Sequence, residues 1–402
     1  MKFFLGFLFL CREFCKIRAH SCKILKGLEA WQNSFIRLKS KRTICKTLIK
    51  NSFFVIKPSK RHTLNSKGVT RRMSGTNVDL TSTEVSNIWS SYLKSSMELR
   101  FFQYFYATTE DSDVKNIVEK LMGFSQQSLE DLKRIFTKEN MTFPLGFTEK
   151  DVRLDADKVF SDIFTLYICH DITMLSLSTY PSALPDCPRK DVRNYFQNAI
   201  EFTLQIQNEI IDLMLSKGVF LKSPQVAMDH TVDLVDEMKY LNGLFGGSRP
   251  VNAAEIANLS RVIHRARFSK MVLVTFSKLS SHKDVKQHFS KGRDALEKVL
   301  DSLEEVFEKE NIPYSASGDF NIFDARHSPF SDKLMLFFVN TCIGMFCFTM
   351  INQALTSSLR TDIVTKFTMI STQMKKYYGK GLLLTITEKW LEQPPQAFDR
   401  KV

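Results

Sequence analysis

Residues 113–140 read DVKNIVEKLMGFSQQSLEDLKRIFTKEN, and residues 284–311 read DVKQHFSKGRDALEKVLDSLEEVFEKEN. Both open on Asp-Val-Lys and close on Glu-Asn, 171 residues apart, and Phe136 returns between them as Phe307. Further out, Pro224-Gln225 returns as Pro395-Gln396 at the same offset, and Phe160-Ser161-Asp162 returns as Phe330-Ser331-Asp332 at 170. One added residue then restores 171, because Asp191 pairs with Asp362 and Phe196 with Phe367. Solenoid repeats have periods of roughly 20–50 residues. A period this long is a whole domain duplicated in tandem.

Within the quoted stretch, Val114, Ile117, Val118, Leu121, Leu132, Ile135 and Phe136 recur at the spacing of one helical face. The copy offers Val285, Phe289, Leu296, Val299, Leu303, Val306 and Phe307. A first helix starts in each copy on the same signal. Thr81-Ser82-Thr83-Glu84 is a capping box, and Asn252-Ala253-Ala254-Glu255 places a good N-cap and a glutamate at matching positions. Third segments run from about Asp157 to Tyr180 and Pro329 to Gln353, and fourth segments from about Pro188 to Lys217 and Ser358 to Glu388. Strand-like alternation is absent, and Pro/Gly clusters at 144–146 and 246–250 separate the segments.

The expected fold is therefore all-α: two tandem ferritin-like up-down four-helix bundles. Copy one spans 78–218 and copy two 251–402. The connector, 219–250, contains a polar stretch, Asp233 to Lys239, that is expected to form a short helix.

The net charge of +13 would ordinarily point to nucleic acid or an anionic membrane. Its location argues otherwise. Residues 1–72 carry 18 Lys and Arg against two acids, which leaves 38 bases against 41 acids in residues 73–402. The duplicated body is slightly acidic, and nucleic-acid binding through the bundles is not expected. The basic extension 1–72 admits three readings: a tail for membrane or nucleic acid, a targeting peptide, or a segment that is disordered or not natively translated. Phe3 to Leu10 resembles a signal-peptide core, but Cys11-Arg12-Glu13 follows instead of a small-residue cleavage site. Cys11, Cys15, Cys22 and Cys45 lack the CxxC spacing of a zinc site. Met73-Ser74-Gly75, just ahead of the first helix cap, offers an alternative start.

Leu334 to Ile351 is almost wholly apolar and nearly long enough to span a bilayer. Its counterpart, Ile163 to Tyr180, includes His170-Asp171, which would be costly at mid-membrane. Equivalent elements of a duplicated fold occupy equivalent environments. Both are read as third bundle helices, and stable membrane insertion is not expected.

Chemistry is harder to find. A di-metal bundle needs inward glutamates on two helices and Glu-x-x-His on the other two. No Glu-x-x-His occurs in the chain. The central inward positions of the second helices are Ser125 and Ser128 in copy one, and Leu296 and Val299 in copy two. Glu98, His170 and Glu209 are the candidates for an irregular metal site, and His170-Asp171 could form an oriented base. His288, at the position of Ile117, reads as a core histidine, and Cys342 and Cys347 read as core thiols. The aromatic run Phe101 to Tyr106 reads as packing within and between bundles. There is no GxSxG, P-loop or GxGxxG motif. No catalytic residue and no cofactor is assigned.

Several longer motifs carry a resemblance. Asn242-Gly243-Leu244-Phe245-Gly246 leads to Arg249-Pro250-Val251-Asn252 and Glu255-Ile256. Phe330-Ser331-Asp332-Lys333-Leu334-Met335 follows, and then Trp390-Leu391-Glu392-Gln393-Pro394-Pro395-Gln396. In copy one, Phe143 to Val152 matches the corresponding inter-helix loop. Over about 78–402 the chain resembles domain-of-unknown-function family 3231, tandem ferritin-like bundles of spore-forming bacteria distantly similar to spore coat protein F. The resemblance implies a spore-forming host and a sporulation or coat association. It also implies that some members carry histidine where this chain has Ser128.

The leading expectation is a non-enzymatic structural or interaction protein on a degenerate ferritin-like scaffold. It would be cytoplasmic, extending to forespore or spore association, with protein partners or self-association. A metal- or redox-active ferritin-like enzyme is the alternative, and a membrane-associated protein the second alternative. The start at Met73 is open to a direct test. Intact mass of the protein from its native host should correspond to 73–402, and a species retaining earlier residues overturns that reading.

Overall fold

The computed structural model describes residues 79–227, 231–244, 248–314 and 320–396. The basic extension, with Cys11, Cys15, Cys22 and Cys45, lies outside them. The described residues form eight long helices: α1 (Ser82–Thr108), α2 (Ser112–Lys138), α3 (Asp162–Ala183), α4 (Lys190–Ser216), α5 (Ala253–Leu279), α6 (Lys283–Lys309), α7 (Asp332–Ser357) and α8 (Thr361–Thr387). The pairs α1/α5, α2/α6 and α4/α8 are all 27 residues long, about 40 Å at 1.5 Å per residue. The fold is all-α, in two tandem bundles within one compact unit, Ser74–Val402. Among the described residues of the connector the one short helix is a 3₁₀ turn at Met238–Leu241, later than the polar stretch suggested. Asp233 to Glu237 stays irregular.

Why these residues make these helices shows best at their ends, where the same clamps recur in both copies. The Thr81 and Asn252 side chains accept from the backbone N–H of Glu84 and Glu255, and both glutamates reach back to the cap. Each glutamate is fully buried and also accepts from backbone N–H groups just ahead of the fourth helix: Glu84 from Arg189, Glu255 from Leu359 and Arg360. Arg189 and Arg360 then pair with Asp191 and Asp362, and with Glu139 and Glu310 at the ends of the second helices. Asn140 and Asn311 close those helices in the left-handed conformation, at φ 51° and 52°, where asparagine is tolerated. The Asp162 carboxylate at the start of α3 accepts from the Glu110 and Asp111 N–H groups at the start of α2, and Asp332 repeats this with His282.

These clamps fix the chain direction. The start of α1, the end of α2 and the start of α4 meet at one end. The starts of α2 and α3 and, through the Lys217–Asp111 ion pair, the end of α4 meet at the other. The up-down alternation holds within each hairpin, and a crossover, residues 139–161, carries the chain back along the bundle between α2 and α3. One long crossover is a feature of ferritin-like bundles.

The one-residue shift in the repeat has a place in the fold. The N-caps Ser161 and Ser331 are 170 apart, whereas the N-caps Arg189 and Arg360 are 171 apart. Between them α7 makes a π-helical turn at Phe338–Ile343, a conformation that absorbs one extra residue without ending the helix. Its partner α3 ends in a 3₁₀ turn, Leu184–Asp186. Among the described residues α7 is the one helix long and apolar enough to cross a membrane, with mean hydropathy 2.1. Most of that stretch is buried in the protein, against α5 and α8.

The two copies are joined by their crossovers and an aromatic seam. Arg153 N–H donates to the Pro329 carbonyl at 2.8 Å and Phe323 N–H to the Val159 carbonyl at 2.8 Å, flanking isolated bridges at Val152–Phe330 and Phe160–Ile322. Phe101 lies 4.4 Å from Phe330 and 5.0 Å from Phe338, centroid to centroid, and Phe164 lies 5.9 Å from Phe268. Phe101, Phe102, Tyr104 and Phe105 are all buried. The aromatic run of α1 is thus core and inter-bundle packing.

Glu255 carries a measurable consequence. Burial alone would raise its carboxyl, but the Arg249 guanidinium fork and the N–H groups of Asn252, Arg360 and Leu359 outweigh burial and hold it at about 2. A carboxyl depressed in the folded state contributes stability above its unfolded value of about 4.3 and loses it as pH falls toward 2. Glu255→Gln should cost roughly 2–3 kcal/mol at neutral pH. It should also flatten the loss of stability between about pH 4.5 and 2, read by denaturant melts across that range.

Candidate functional site

In copy one, the bundle centre holds a closed polar cluster. Lys94 and Glu98, one turn apart on α1 and both buried, pair at 2.6 Å. The Lys94 ammonium also donates to the Tyr180 hydroxyl at 3.2 Å. Beside it, Ser95 and Ser128 hydroxyls share a hydrogen bond at 3.0 Å, and Ser128 and Tyr195 share another at 2.7 Å. Burial pushes the Glu98 carboxyl above its ordinary range, against the pull of Lys94. Its negative charge is answered by its own helix, and its neighbours are hydroxyls, which are poor ligands for a transition metal.

The equivalent centre of copy two is largely apolar. Leu296 and Val299 are buried there, with Ser269 at the position of Glu98, around a small cavity of about 20 Å³. Arg265 stands where copy one has Lys94. Without a carboxylate one turn on, it pairs instead across the copies with Asp171 of α3. Arg265 is 6% exposed and Asp171 4%. Phe268 and Phe346 lie 5.2 and 4.8 Å from the guanidinium. Burial pulls the guanidinium down to about 10, so it stays protonated at neutral pH.

The candidates from sequence are therefore dispersed. Glu98 sits in the core of copy one. Glu209 lies on the outer side of α4, paired with Lys120 at 2.7 Å. His170 lines a space shared with the other copy, and Asp171 serves Arg265 rather than orienting His170. The Gln207 amide donates to His170 Nδ1 at 2.9 Å and its own oxygen is held by Thr173. Among the described residues no three His, Cys, Asp or Glu side chains come together. His288 is buried and stacks on Tyr377 at 4.3 Å. The Cys342 thiol, pushed up to about 12 by burial, lies 3.6 Å from Met97 sulfur.

What the geometry does assemble is a cleft of about 370 Å³ between the copies, floored by the Arg265–Asp171 pair. His170 lines it from copy one, and Arg261, His264 and Phe268 line it from α5. Those three residues and Arg265 follow i, i+3, i+4 and i+7 spacing, one helical face. The remaining wall is largely apolar, including Met174, Met214, Phe220, Phe320, Phe346 and Met350. Burial, helped by Arg265 near His170 and by Arg267 near His264, lowers both imidazoles to about 4. Both are neutral at physiological pH. Reading the chain alone misses this face. Its signal was a departure from the repeat, since copy one has Ser90, Leu93 and Met97 where copy two has Arg261, His264 and Phe268.

Fold and site thus define a tandem all-α bundle protein with filled cores and a cleft between its halves. The family described as "Protein of unknown function (DUF3231)" matches residues 70–232 and again 239–402. The chain belongs to that family. No curated protein matches it. A solved structure from Bacillus halodurans, described as a candidate spore coat protein, is similar at 16% identity. That match covers 38% of this chain and 98% of the other, with a TM-score of 0.35.

Removing one partner of a buried ion pair leaves an uncompensated charge. Asp171→Ala should cost about 3–5 kcal/mol in denaturant melts, whereas Asp171→Leu combined with Arg265→Met should recover most of that loss.

Proposed function

We propose that this protein is a non-enzymatic structural or interaction protein on a degenerate ferritin-like scaffold. The observation that carries this reading is the content of the two bundle centres. Where a di-metal site needs four or more carboxylate and imidazole ligands, copy one offers hydroxyls and one carboxylate already paired to Lys94. Copy two offers Leu296, Val299 and Ser269. The duplication kept the clamps that make the bundle and filled the places where chemistry would sit.

The interaction half of the reading has its own support. Toward its end α8 exposes Leu382, Leu383 and Ile386, a cluster of the kind that marks contact surfaces. A second copy of the chain is the occupant proposed. The spore coat is the setting that the family resemblance supplies.

One preparation of the full chain from its native host tests both halves. Elemental analysis should find iron, manganese and zinc far below one atom per chain. Stoichiometric metal that is lost in Glu98→Gln establishes the enzyme-like alternative instead. Light scattering should show a dimer or larger species that Leu383→Glu converts to monomer with an unchanged melting temperature; a monomeric native protein removes self-association. Deletion of the protein with coat composition and spore resistance intact removes the spore setting.

A further inference from the structure

The cleft between the copies has a shape and polarity that the scaffold reading does not require. Its volume of about 370 Å³ falls within the span of small-molecule sites. It holds on the order of a dozen water-sized groups at roughly 30 Å³ each. A two-chain lipid is too large for it. The Phe and Met side chains of its wall suit an unbranched or aromatic body, methionine adapting to irregular shapes.

Its polar groups converge from both copies. Gln207 donates to His170 Nδ1, so the proton of the neutral ring is on Nε2, the nitrogen left free to donate. His264 supplies a second neutral imidazole from α5. The charges of Arg265 and Asp171 cancel in the floor. Arg261, at the exposed rim, hydrogen-bonds the Gln353 side-chain oxygen at 2.6 Å and forms no carboxylate pair among the described residues. The cleft therefore carries one uncompensated positive charge, at its mouth, next to two imidazoles able to donate. Such a set selects an oxyanion over a neutral or cationic head.

We propose that the cleft binds a single-chain amphipathic carboxylate, of about the size of decanoate. The alkyl chain lies along the Phe and Met wall, and the carboxylate sits at the rim on Arg261, His264 and His170. This site is independent of what fills the bundle centres.

Titration calorimetry on the full chain, with decanoate as the probe and decanol as its neutral counterpart, tests it. One decanoate should bind per chain, and decanol should bind about tenfold more weakly. Arg261→Ala should cost decanoate about tenfold and leave decanol unchanged. Ser178→Trp, placing a ring in the cleft from an exposed position, should abolish binding of both with the helical circular dichroism intact. Absence of saturable decanoate binding overturns the proposal. So does decanoate binding that survives Ser178→Trp, or that is indifferent to Arg261→Ala.

Discussion

An arginine buried among aromatic rings has to find an anion, and Arg265 finds Asp171 on the other half of the molecule. The arrangement of the two bundles depends on that constraint. Copy one solves the same problem locally, with Lys94 and Glu98 on one helix. In copy two the position of Glu98 is Ser269, and the charge is balanced instead by Asp171 of α3, which packs from copy one against α5. Around this pair the aromatic seam excludes water, which strengthens the attraction and raises the penalty for separating it.

The seam and the crossovers act on the same joint from different directions. Pairing between the crossovers satisfies backbone groups that would otherwise be stranded between two packed bundles. The phenylalanines supply the buried apolar area. The ion pair is weak evidence of stability by itself, since a well-packed apolar pair of similar volume could replace it. The cleft lies where the two bundles meet beside a polar floor.

The end clamps explain how a duplicated sequence can drift so far in its centres and keep its fold. Glu84 and Glu255 each satisfy donors at the starts of two helices, so loss of either leaves several backbone groups unpaired at once. Residues that only fill space are freer to change, provided volume is kept. The centres differ even in polarity, hydrogen-bonded Ser128 in copy one standing where copy two has Val299, whereas the Arg189 and Arg360 networks could not change piecemeal.

The sequence by itself determined the helices, the caps of the first helix in each copy, their duplication and the location of the one-residue insertion. These depend on local spacing and on residues a few positions apart, and the 171-residue offset let one copy check the other. It also marked Ser125, Ser128, Leu296 and Val299 as inward positions, because helical periodicity assigns a face. Periodicity could not say which face of a bundle meets a second bundle. That is why His170-Asp171 read as a pair although the two side chains serve different partners, and why Glu98, His170 and Glu209 read as possible companions. Only the tertiary structure, by setting α3 against α5, decided that Asp171 belongs to Arg265 and that two neutral histidines from different copies share a cleft. The physical reason is that charge balance in a core is a long-range condition, met by whichever partner the packing delivers.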